Sequence, residues 1–563
     1  MADFFQAPPQ LGNTYLNHRW LKNYLRFKMP KEMFAQVHQE LEKFGARCAG
    51  EFTLLAKTAE REKPELVQYD PWGRRIDEIR LSPAWTELQN ISAREELVAL
   101  AYQRKNGEYS RLHQFAKLLL FHPSSAFFTC PLAMADGAAR VLEVYGQTEF
   151  HRETFRHLTS SDPAQFWTSG QWMTERTGGS DVGQTSTEVK LEGEQIRLYG
   201  TKWFSSATTS AVALALARYP GSAAGSRGLS LFLVPTYTAP GVLNHIRVLR
   251  LKDKLGTRAL PTAELSLEGA LTYPLGERDQ GVKTVVTMLN ITRLYNSICS
   301  VGQATRALEM LNDYSGKRVV FGRPIDEQIL HTSTFVDEEL KSLAGFLLTM
   351  EMVHILGKEE CAKASREESD ILRLLTPVCK LFTAKSAIQT ASEVVEGFGG
   401  AGYIEDTGVA VHLRDAQVFP IWEGATNVLS LDMLRVMQKT KAVEALFVDI
   451  HSRLQRAAVA GDSEGAVNVT RQAVDQLEVS LQQWQGSLAL AQEASGRGLA
   501  FHLARLYALV LLLDWSAQSA KDEQKVFAPW IRRYLNGFLG IWSPSSIEDC
   551  DRVKEMWTGR LNL

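Results

Sequence analysis

The spacing of apolar positions changes three times along the chain. Up to about residue 165 they recur at three- and four-residue intervals, as over 33–54 and 94–101, a period that predicts helices. From about 168 to 276 the period shortens to two. Thr187, Val189 and Leu191 alternate with polar neighbours, Glu192-Gly193-Glu194 turns the chain, and Ile196 and Leu198 resume the alternation. Further strand-like runs at 211–217, 229–234, 246–251 and 262–267 are separated by Gly and Pro turns. Short, evenly spaced strands of this kind predict a compact antiparallel barrel or sandwich. After Gly281 the helical period returns and persists to about 438, opening with a stripe of Val282, Val285, Val286 and Leu289 that suits a bundle of long helices. Residues from about 441 to 563 again read as helices, interrupted by loops at 461–465 and 494–498.

These periods divide the chain into a helical domain over 1–167, a β domain over 168–276, a helical bundle over 277–440 and a helical extension over 441–563. The class is multidomain α+β. A length of 563 residues, 45% apolar, supplies ample core material, and 22% charged residues is ordinary for a globular protein. Lys plus Arg number 62 against 64 Asp plus Glu, so the net charge of −2 gives no pull toward nucleic acid or an anionic membrane. The six cysteines (Cys48, Cys130, Cys299, Cys361, Cys379, Cys550) are scattered without a C-x-x-C pair, which argues against a disulfide scaffold or a zinc ribbon and for a reducing compartment. No metal is expected. The N-terminal residues lack the basic region and apolar run of a signal peptide. The longest clean apolar run, 508–513, ends at Asp514 and is too short to span a bilayer. A cytoplasmic address is expected.

Gly397-Phe398-Gly399-Gly400-Ala401-Gly402 satisfies G-x-G-x-x-G, but that pattern marks a phosphate loop only after a strand, and 387–396 is helical in period. The glycines suit a helix end with φ > 0, or the close approach of a ligand or another backbone. A set of strings in fixed order says more. Trp172-Met173-Thr174-Glu175-Arg176-Thr177-Gly178-Gly179-Ser180-Asp181 opens the β region, followed by Gly200-Thr201-Lys202-Trp203-Phe204-Ser205 and Lys254-Leu255-Gly256-Thr257-Arg258. The bundle carries Arg318-Val319-Val320-Phe321-Gly322, with Gln328 six residues beyond, then 396–403 and Ile421-Trp422-Glu423-Gly424-Ala425-Thr426-Asn427.

In this order and spacing the strings resemble the acyl-CoA dehydrogenase family over about residues 95–438. The extended N-terminus, the Trp-Glu-Gly string and the extra C-terminal helices resemble its AidB-like branch. The resemblance implies an N-terminal helical domain, a central antiparallel β-barrel and a C-terminal four-helix bundle, with the extension added. It implies non-covalent FAD, held by Met173, Thr174, Gly179, Ser180, Trp203, Ser205 and Asn427. Arg318, Phe321, Gln328, Glu396 and Gly400 would reach the FAD of a neighbouring subunit, in a homo-oligomer expected to be a tetramer. Each residue type also has a bland use: a Ser/Thr-rich hairpin rim, a core Trp, a solvated Arg.

Desaturating a thioester requires removal of an α-proton while hydride leaves the β-carbon for flavin N5. Glu423 lies in Phe419-Pro420-Ile421-Trp422-Glu423-Gly424, an apolar setting that should raise a carboxylate toward proton-abstracting range. Gly424 allows close approach, and the Glu423 N–H can donate to the thioester carbonyl as enolate charge develops. The alternative use of Glu423 is an exposed cap. In a minority of relatives the base lies at the position matching Thr292, whose hydroxyl cannot take the proton. Ser180, Arg293, Trp422 and Gly424 are the residues the resemblance sets against the fatty acyl-CoA substrate, with an electron-transfer flavoprotein as the electron acceptor.

The sequence departs from the family at three positions: Asn290 stands for an Asp, Ala425 for a flavin-contacting Thr, and Glu396 for a Gln. Three functions follow. The first is a dehydrogenase; the second, an acyl-CoA binding flavoprotein with little turnover, draws on Asn290 and Ala425. The third is a nucleic-acid-associated flavoprotein of alkylation response, which should show a basic C-terminal face. Residues 441–563 hold 13 Lys plus Arg against 14 Asp plus Glu, a balance of −1, with Arg532-Arg533 as the one small basic cluster. Nucleic acid is therefore not an expected partner.

Overall fold

The computed structural model describes residues 5–459 and 464–540. The N-terminal region is built of α1 (Thr14–Asn17), α2 (Leu21–Lys28), α3 (Lys31–Ala49), α4 (Glu51–Arg61), α5 (Pro83–Arg94), α6 (Ala99–Gln103), α7 (Ser110–Phe121), α8 (Thr129–Tyr145) and α9 (Glu149–Leu158). Local chemistry starts these helices. Asn13 accepts from the N–H groups of Tyr15 and Leu16, Ser82 caps α5 ahead of Pro83, and Thr148 forms a capping box with His151.

Two helical expectations fail here. A hairpin, β1 (Glu65–Tyr69) and β2 (Arg75–Arg80), interrupts the helices. Its turn is made by Asp70, whose Oδ1 accepts from Trp72 N and Arg74 N, and by Gly73 at φ +81°. Leu66 and Ile79 pack on the core of the β region, and Asp77 Oδ2 accepts from Val248 N at 3.1 Å. The run 94–101 is not one helix either: α5 ends at Arg94, Glu96 turns at φ +55°, and α6 starts at Ala99.

The β region comprises β3 (Ser169–Trp172), β4 (Glu188–Glu192), β5 (Gln195–Ser206), β6 (Val212–Arg218), β7 (Leu229–Pro235), β8 (Tyr237–Ala239), β9 (Val242–Leu243), β10 (Ile246–Leu251) and β11 (Thr262–Pro274). One sheet runs β10-β11-β5-β4-β6-β3, and β7 pairs with both β11 and β6. The pairing is mixed, which corrects the antiparallel expectation. β3 runs parallel to β6 over Ser169–Trp172, and β4 meets β6 in parallel through the single pair Glu188 with Arg218. Trp172, Val189, Leu198, Phe232, Val234 and Leu265 fill its interior.

The bundle consists of α10 (Gly281–Lys317), a short hairpin of β12 (Val319–Val320) and β13 (Arg323–Pro324), then α11 (Ile329–Glu360), α12 (Arg366–Gly397), α13 (Gly400–Tyr403), α14 (Ala410–Ala416) and α15 (Thr426–Lys439). The stripe on α10 is rotated from the expected one. Thr284, Val285, Met288, Ile291 and Tyr295 are buried, whereas Val286 is exposed because it faces away from the packing helices. The G-x-G-x-x-G string follows α12, with Gly399 at φ +61°, so it ends a helix instead of opening a phosphate loop. Gly402 answers a close backbone approach, since a Cβ there would lie 2.1 Å from Val395 O.

The extension forms α16 (Ala442–Val459), α17 (Glu464–Gln485), α18 (Ala489–Gln518) and α19 (Lys521–Gly537). The expected loop at 461–465 falls largely outside the described residues. That at 494–498 lies inside α18, where Gly496 lets Leu434 of α15 approach: a Cβ would meet Leu434 Cδ1 at 2.7 Å. Helices α11 and α18 are long and apolar enough to cross a membrane, but 83% of each apolar window is buried in protein. Arg453 of α16 binds Glu351 of α11 at 2.6 Å, which also takes Lys28 of α2 at 2.7 Å. The extension is thereby tied into both helical regions.

Candidate active site

The segment between α14 and α15 holds Glu423 at φ +56° and Gly424 at φ +108°. Two consecutive left-handed residues make a strained turn, and three side chains hold its carbonyls. Asn296 Nδ2 donates to Phe419 O at 3.1 Å, Arg293 Nε to Glu423 O at 3.3 Å, and Lys380 Nζ to Gly424 O at 2.7 Å. The carboxylate is also held, since Glu423 Oε2 accepts from Thr292 Oγ1 at 2.7 Å. The Glu423 carboxylate and the Thr292 hydroxyl are thus in direct contact. Burial pushes the Glu423 carboxyl above its ordinary value, while Thr292, Arg293, Lys380 and Gln171 offset part of the rise.

Trp422 is half-buried, with its ring 5.7 Å from Phe127. Phe127 follows Ala126, and both carry positive φ, +70° and +46°, at the entry to α8. Phe127 also meets Phe419 at 5.5 Å and His122 at 4.7 Å, so an aromatic cluster packs on Trp422, the residue before Glu423. Arg293 is turned onto protein groups: besides Glu423 O, its Nη1 donates to Asp432 at 2.7 Å.

The Met173 to Ser180 string and the Gly200 to Ser205 string are brought together by a buried ion pair. Lys202 Nζ donates to Glu175 Oε1 at 2.7 Å and to Leu216 O at 2.9 Å, and Glu175 also accepts from Ser186 and Thr187. Burial would raise Glu175, but Lys202 and these hydroxyls outweigh it and hold the carboxyl at about 2. Trp203 N donates to Thr174 O at 2.9 Å, which sets the two strings side by side. Gly179 packs on Thr174, where a Cβ would meet its methyl and hydroxyl at 3.2 Å. Met173 is buried, Thr174 half-buried and Ser180 exposed. Ser205 Oγ is buried without a hydrogen-bond partner among the described residues, a group suited to a heteroaromatic ligand edge. Trp203 is half-exposed, with Lys252 Nζ 3.7 Å and the Arg176 guanidinium 4.7 Å from its ring centre. Hydrogen-bonding donors, an orphaned hydroxyl and an indole face fit a flavin.

The remaining cofactor candidates lie elsewhere. Arg318 caps the far end of α10, Phe321 stands 99% exposed in the β12–β13 turn at φ +51°, and Gln328 precedes α11. Glu396 and Gly400 are exposed at the same end, where Tyr314 stacks on Phe398 at 4.4 Å. Thr292 and Arg318 are 26 residues apart on one helix, about 39 Å at 1.5 Å per residue. Asn427, in the first turn of α15, accepts from Arg497 of α18 at 2.9 Å.

Sequence reasoning missed Gln171 and Lys380 beside Glu423, and Phe127 against Trp422. Only Lys380 left a trace, as one charge inside the apolar run Leu374-Leu375-Thr376-Pro377-Val378-Cys379-Lys380-Leu381-Phe382. No metal-holding group of His, Cys, Asp and Glu occurs among the described residues, and the five described cysteines are unpaired, with Cys550 outside them.

Four family descriptions match the chain in order. They are Adaptive response protein AidB N-terminal domain over 7–162, Acyl-CoA dehydrogenase, middle domain over 170–270, Acyl-CoA dehydrogenase, C-terminal domain over 279–438, and Acyl-CoA dehydrogenase 11 C-terminal domain-like over 441–539. The chain belongs to the acyl-CoA dehydrogenase family, oxidoreductases whose cofactor is FAD. Acyl-CoA dehydrogenase family member 11 of Caenorhabditis elegans is 40% identical over 541 residues, 92% of this chain and 87% of that protein. The crystal structure of Caenorhabditis elegans ACDH-11 in complex with C11-CoA matches with a TM-score of 0.95 at 38% identity, covering 100% of this chain and 98% of that one. The putative acyl-CoA dehydrogenase AidB of Escherichia coli K12 is 31% identical over 400 residues, 69% of this chain and 72% of that protein.

Proposed function

We propose that this chain desaturates a fatty acyl-CoA between its α- and β-carbons, with Glu423 as the base. The observation that carries the reading is the Glu423 carboxylate itself: half-buried, raised in basicity by burial, and held by Thr292 on a turn whose carbonyls are clamped. Bound FAD supplies the acceptor for the β-hydride. Glu423 takes the α-proton, and its backbone N–H donates to the thioester carbonyl as negative charge grows there. Phe127 packs on Trp422, the residue before the base, at 5.7 Å between ring centres. An acyl-CoA substrate is supported by the similarity to ACDH-11, whose structure contains C11-CoA.

FAD binds non-covalently to Met173, Thr174, Gly179, Ser180, Trp203, Ser205 and Asn427 of one protomer and to Arg318, Phe321, Gln328, Glu396 and Gly400 of another. The separation of about 39 Å between Thr292 and Arg318 along α10 supports this division. The assembly is a homotetramer that passes electrons to an electron-transfer flavoprotein in the cytoplasm. Binding with little turnover is the second reading, favoured by Ala425, which starts α15 without a side-chain cap. Anaerobic addition of a panel of acyl-CoAs to the purified yellow protein decides between the two. Bleaching of the flavin by one or more chain lengths supports the dehydrogenase. Tight binding without bleaching at any chain length overturns it in favour of the binder.

A further inference from the structure

Lys380 sits on α12 with no exposed surface, in a run of apolar residues. A buried ammonium is destabilising unless it is paired, so its presence there needs a reason. Its partner is the Gly424 carbonyl at 2.7 Å, the last peptide oxygen of the turn that bears the base. Glu423 and Gly424 both have positive φ, and such a conformation persists only where its surroundings hold it. The two other clamps on this segment, Asn296 and Arg293, come from α10. Lys380 is the clamp from α12.

The charged groups that face Lys380 are Glu423 on the turn and Arg293 on α10, and the latter is itself paired with Asp432 of α15. Burial pushes the Lys380 ammonium down to about 7; Glu423 opposes the fall and Arg293 adds to it. From the carboxylate's side, Lys380 is one of the positive groups that oppose burial. An ammonium that both anchors the peptide of a base and faces its carboxylate has two effects. It fixes where the carboxylate points, and it favours the ionised form that can accept a proton.

We propose that Lys380 is a positioning residue for Glu423: its ammonium clamps the Gly424 carbonyl to fix the left-handed turn and, while protonated, opposes the effect of burial on the carboxylate. The proposal rests on Glu423 being the base, and the test separates the two claims. In the FAD-loaded protein without substrate, the protonated-carboxyl infrared band of Glu423 is the one lost in Glu423→Gln. Its titration is followed in wild type, in Lys380→Met, and in Lys380→Gln, which keeps a polar end if Met prevents folding. The neutral variants are expected to move the Glu423 titration upward by about one pH unit, a tenfold loss of ionised base below it. In the same variants the acidic limb of flavin reduction by acyl-CoA should move with the infrared titration. The limiting rate in Lys380→Met should fall on the order of 10²-fold through misplacement, with acyl-CoA affinity little changed. Lys380→Arg, which restores charge and donor, should return the titration toward wild type. An unmoved Glu423 titration in the neutral variants overturns the proposal, whatever happens to the rate. If no acyl-CoA bleaches wild type, the dehydrogenase reading fails, and the infrared titration still decides the role of Lys380. If Glu423→Gln bleaches as fast as wild type, Glu423 is not the base and the proposal falls with it.

Discussion

Two positions along α10, Thr292 within its first third and Arg318 at its C-terminal cap, are finished in opposite ways. At the Thr292 end the base turn has its peptide oxygens and its carboxylate answered by Thr292, Arg293, Asn296 and Lys380 of the same chain. At the Arg318 end the polar candidates stand among exposed apolar groups: Val319, Phe321, Ile329, Leu330 and Tyr403 are 56–99% exposed. Such a rim is characteristic of a surface that another molecule covers. On the proposed function, the proton-abstracting half of the site is complete within one protomer. The distal end presents exposed groups outward, as the proposed sharing of a cofactor between copies requires. A pre-organised base needs rigid surroundings, which a single core supplies, whereas a subunit boundary suffices to grip the far end of a long ligand.

The strongest break in this comparison comes at the inner end. Glu423→Gln keeps the size of the side chain and its bond to Thr292 but cannot accept the α-proton. It should retain FAD and bind acyl-CoA nearly as wild type does, while bleaching slows by roughly 10²–10⁴-fold, as expected for loss of a general base. Stopped-flow reduction under anaerobic conditions measures this. Equal bleaching rates would move the base elsewhere and leave the inner end without its function.

At the outer end the expected loss is in cofactor binding. Arg318→Ala removes a charged donor, a change of about 1.5–3 kcal/mol or ten- to a hundred-fold in FAD affinity. The rate of reduction of whatever flavin remains should be unchanged. Flavin fluorescence titration reads the affinity, and light scattering reads the oligomer. A wild-type monomer that keeps its FAD would show that the outer end is not a shared clamp.

What the sequence reveals differs between these ends for physical reasons. The long helices and most strands are written in local periodicity, which is why 281–438 and the runs at 211–217 and 229–234 are legible. The β1–β2 hairpin is not, because strands of five and six residues are short against a helical background and their stabilising partner, the β region, is far away in sequence. Ala494-Ser495-Gly496-Arg497-Gly498 has the composition of a turn, yet contact with Leu434 keeps it helical. Glu423 is legible because a contiguous string surrounds it. Lys380 and Phe127 act through space, from 43 and 296 residues away, and the positive φ of Phe127 has no signature in composition.

Thr292→Val sharpens the inner end by a smaller step. Thr292 donates to the carboxylate and so favours its charged form, against the dominant effect of burial. The active form of Glu423 is the carboxylate, so activity rises as pH rises through its titration. Removing the donor raises that titration by about one unit, from a charged hydrogen bond of about 1.5 kcal/mol. The acidic limb of kcat/KM against pH should therefore move upward, with little change on the alkaline side. A limb that stays in place would mean that Thr292 supports the turn without tuning the base.

The smallest effect is expected where the AidB resemblance suggests the most. A DNA-binding face needs unpaired basic residues that can release counterions from phosphates. Of the Arg532-Arg533 pair, Arg533 is engaged with Asp337 of α11 at 2.7 Å and with Ser333 at 2.9 Å. Arg453 and Arg456 of α16 are likewise turned onto Asp514. Engagement of these side chains agrees with the balance of −1 over 441–563. Deleting the extension is a poor test, because α18 is largely buried and its loss would expose the core against α11, α12 and α15. Arg532→Ala with Arg533→Ala leaves that packing intact. Duplex DNA binding, read by fluorescence anisotropy at physiological salt, should be weak and salt-sensitive in wild type and nearly the same in the double variant. Nanomolar binding that the double variant loses would assign the extension a nucleic-acid surface, and with it a function separate from either position on α10.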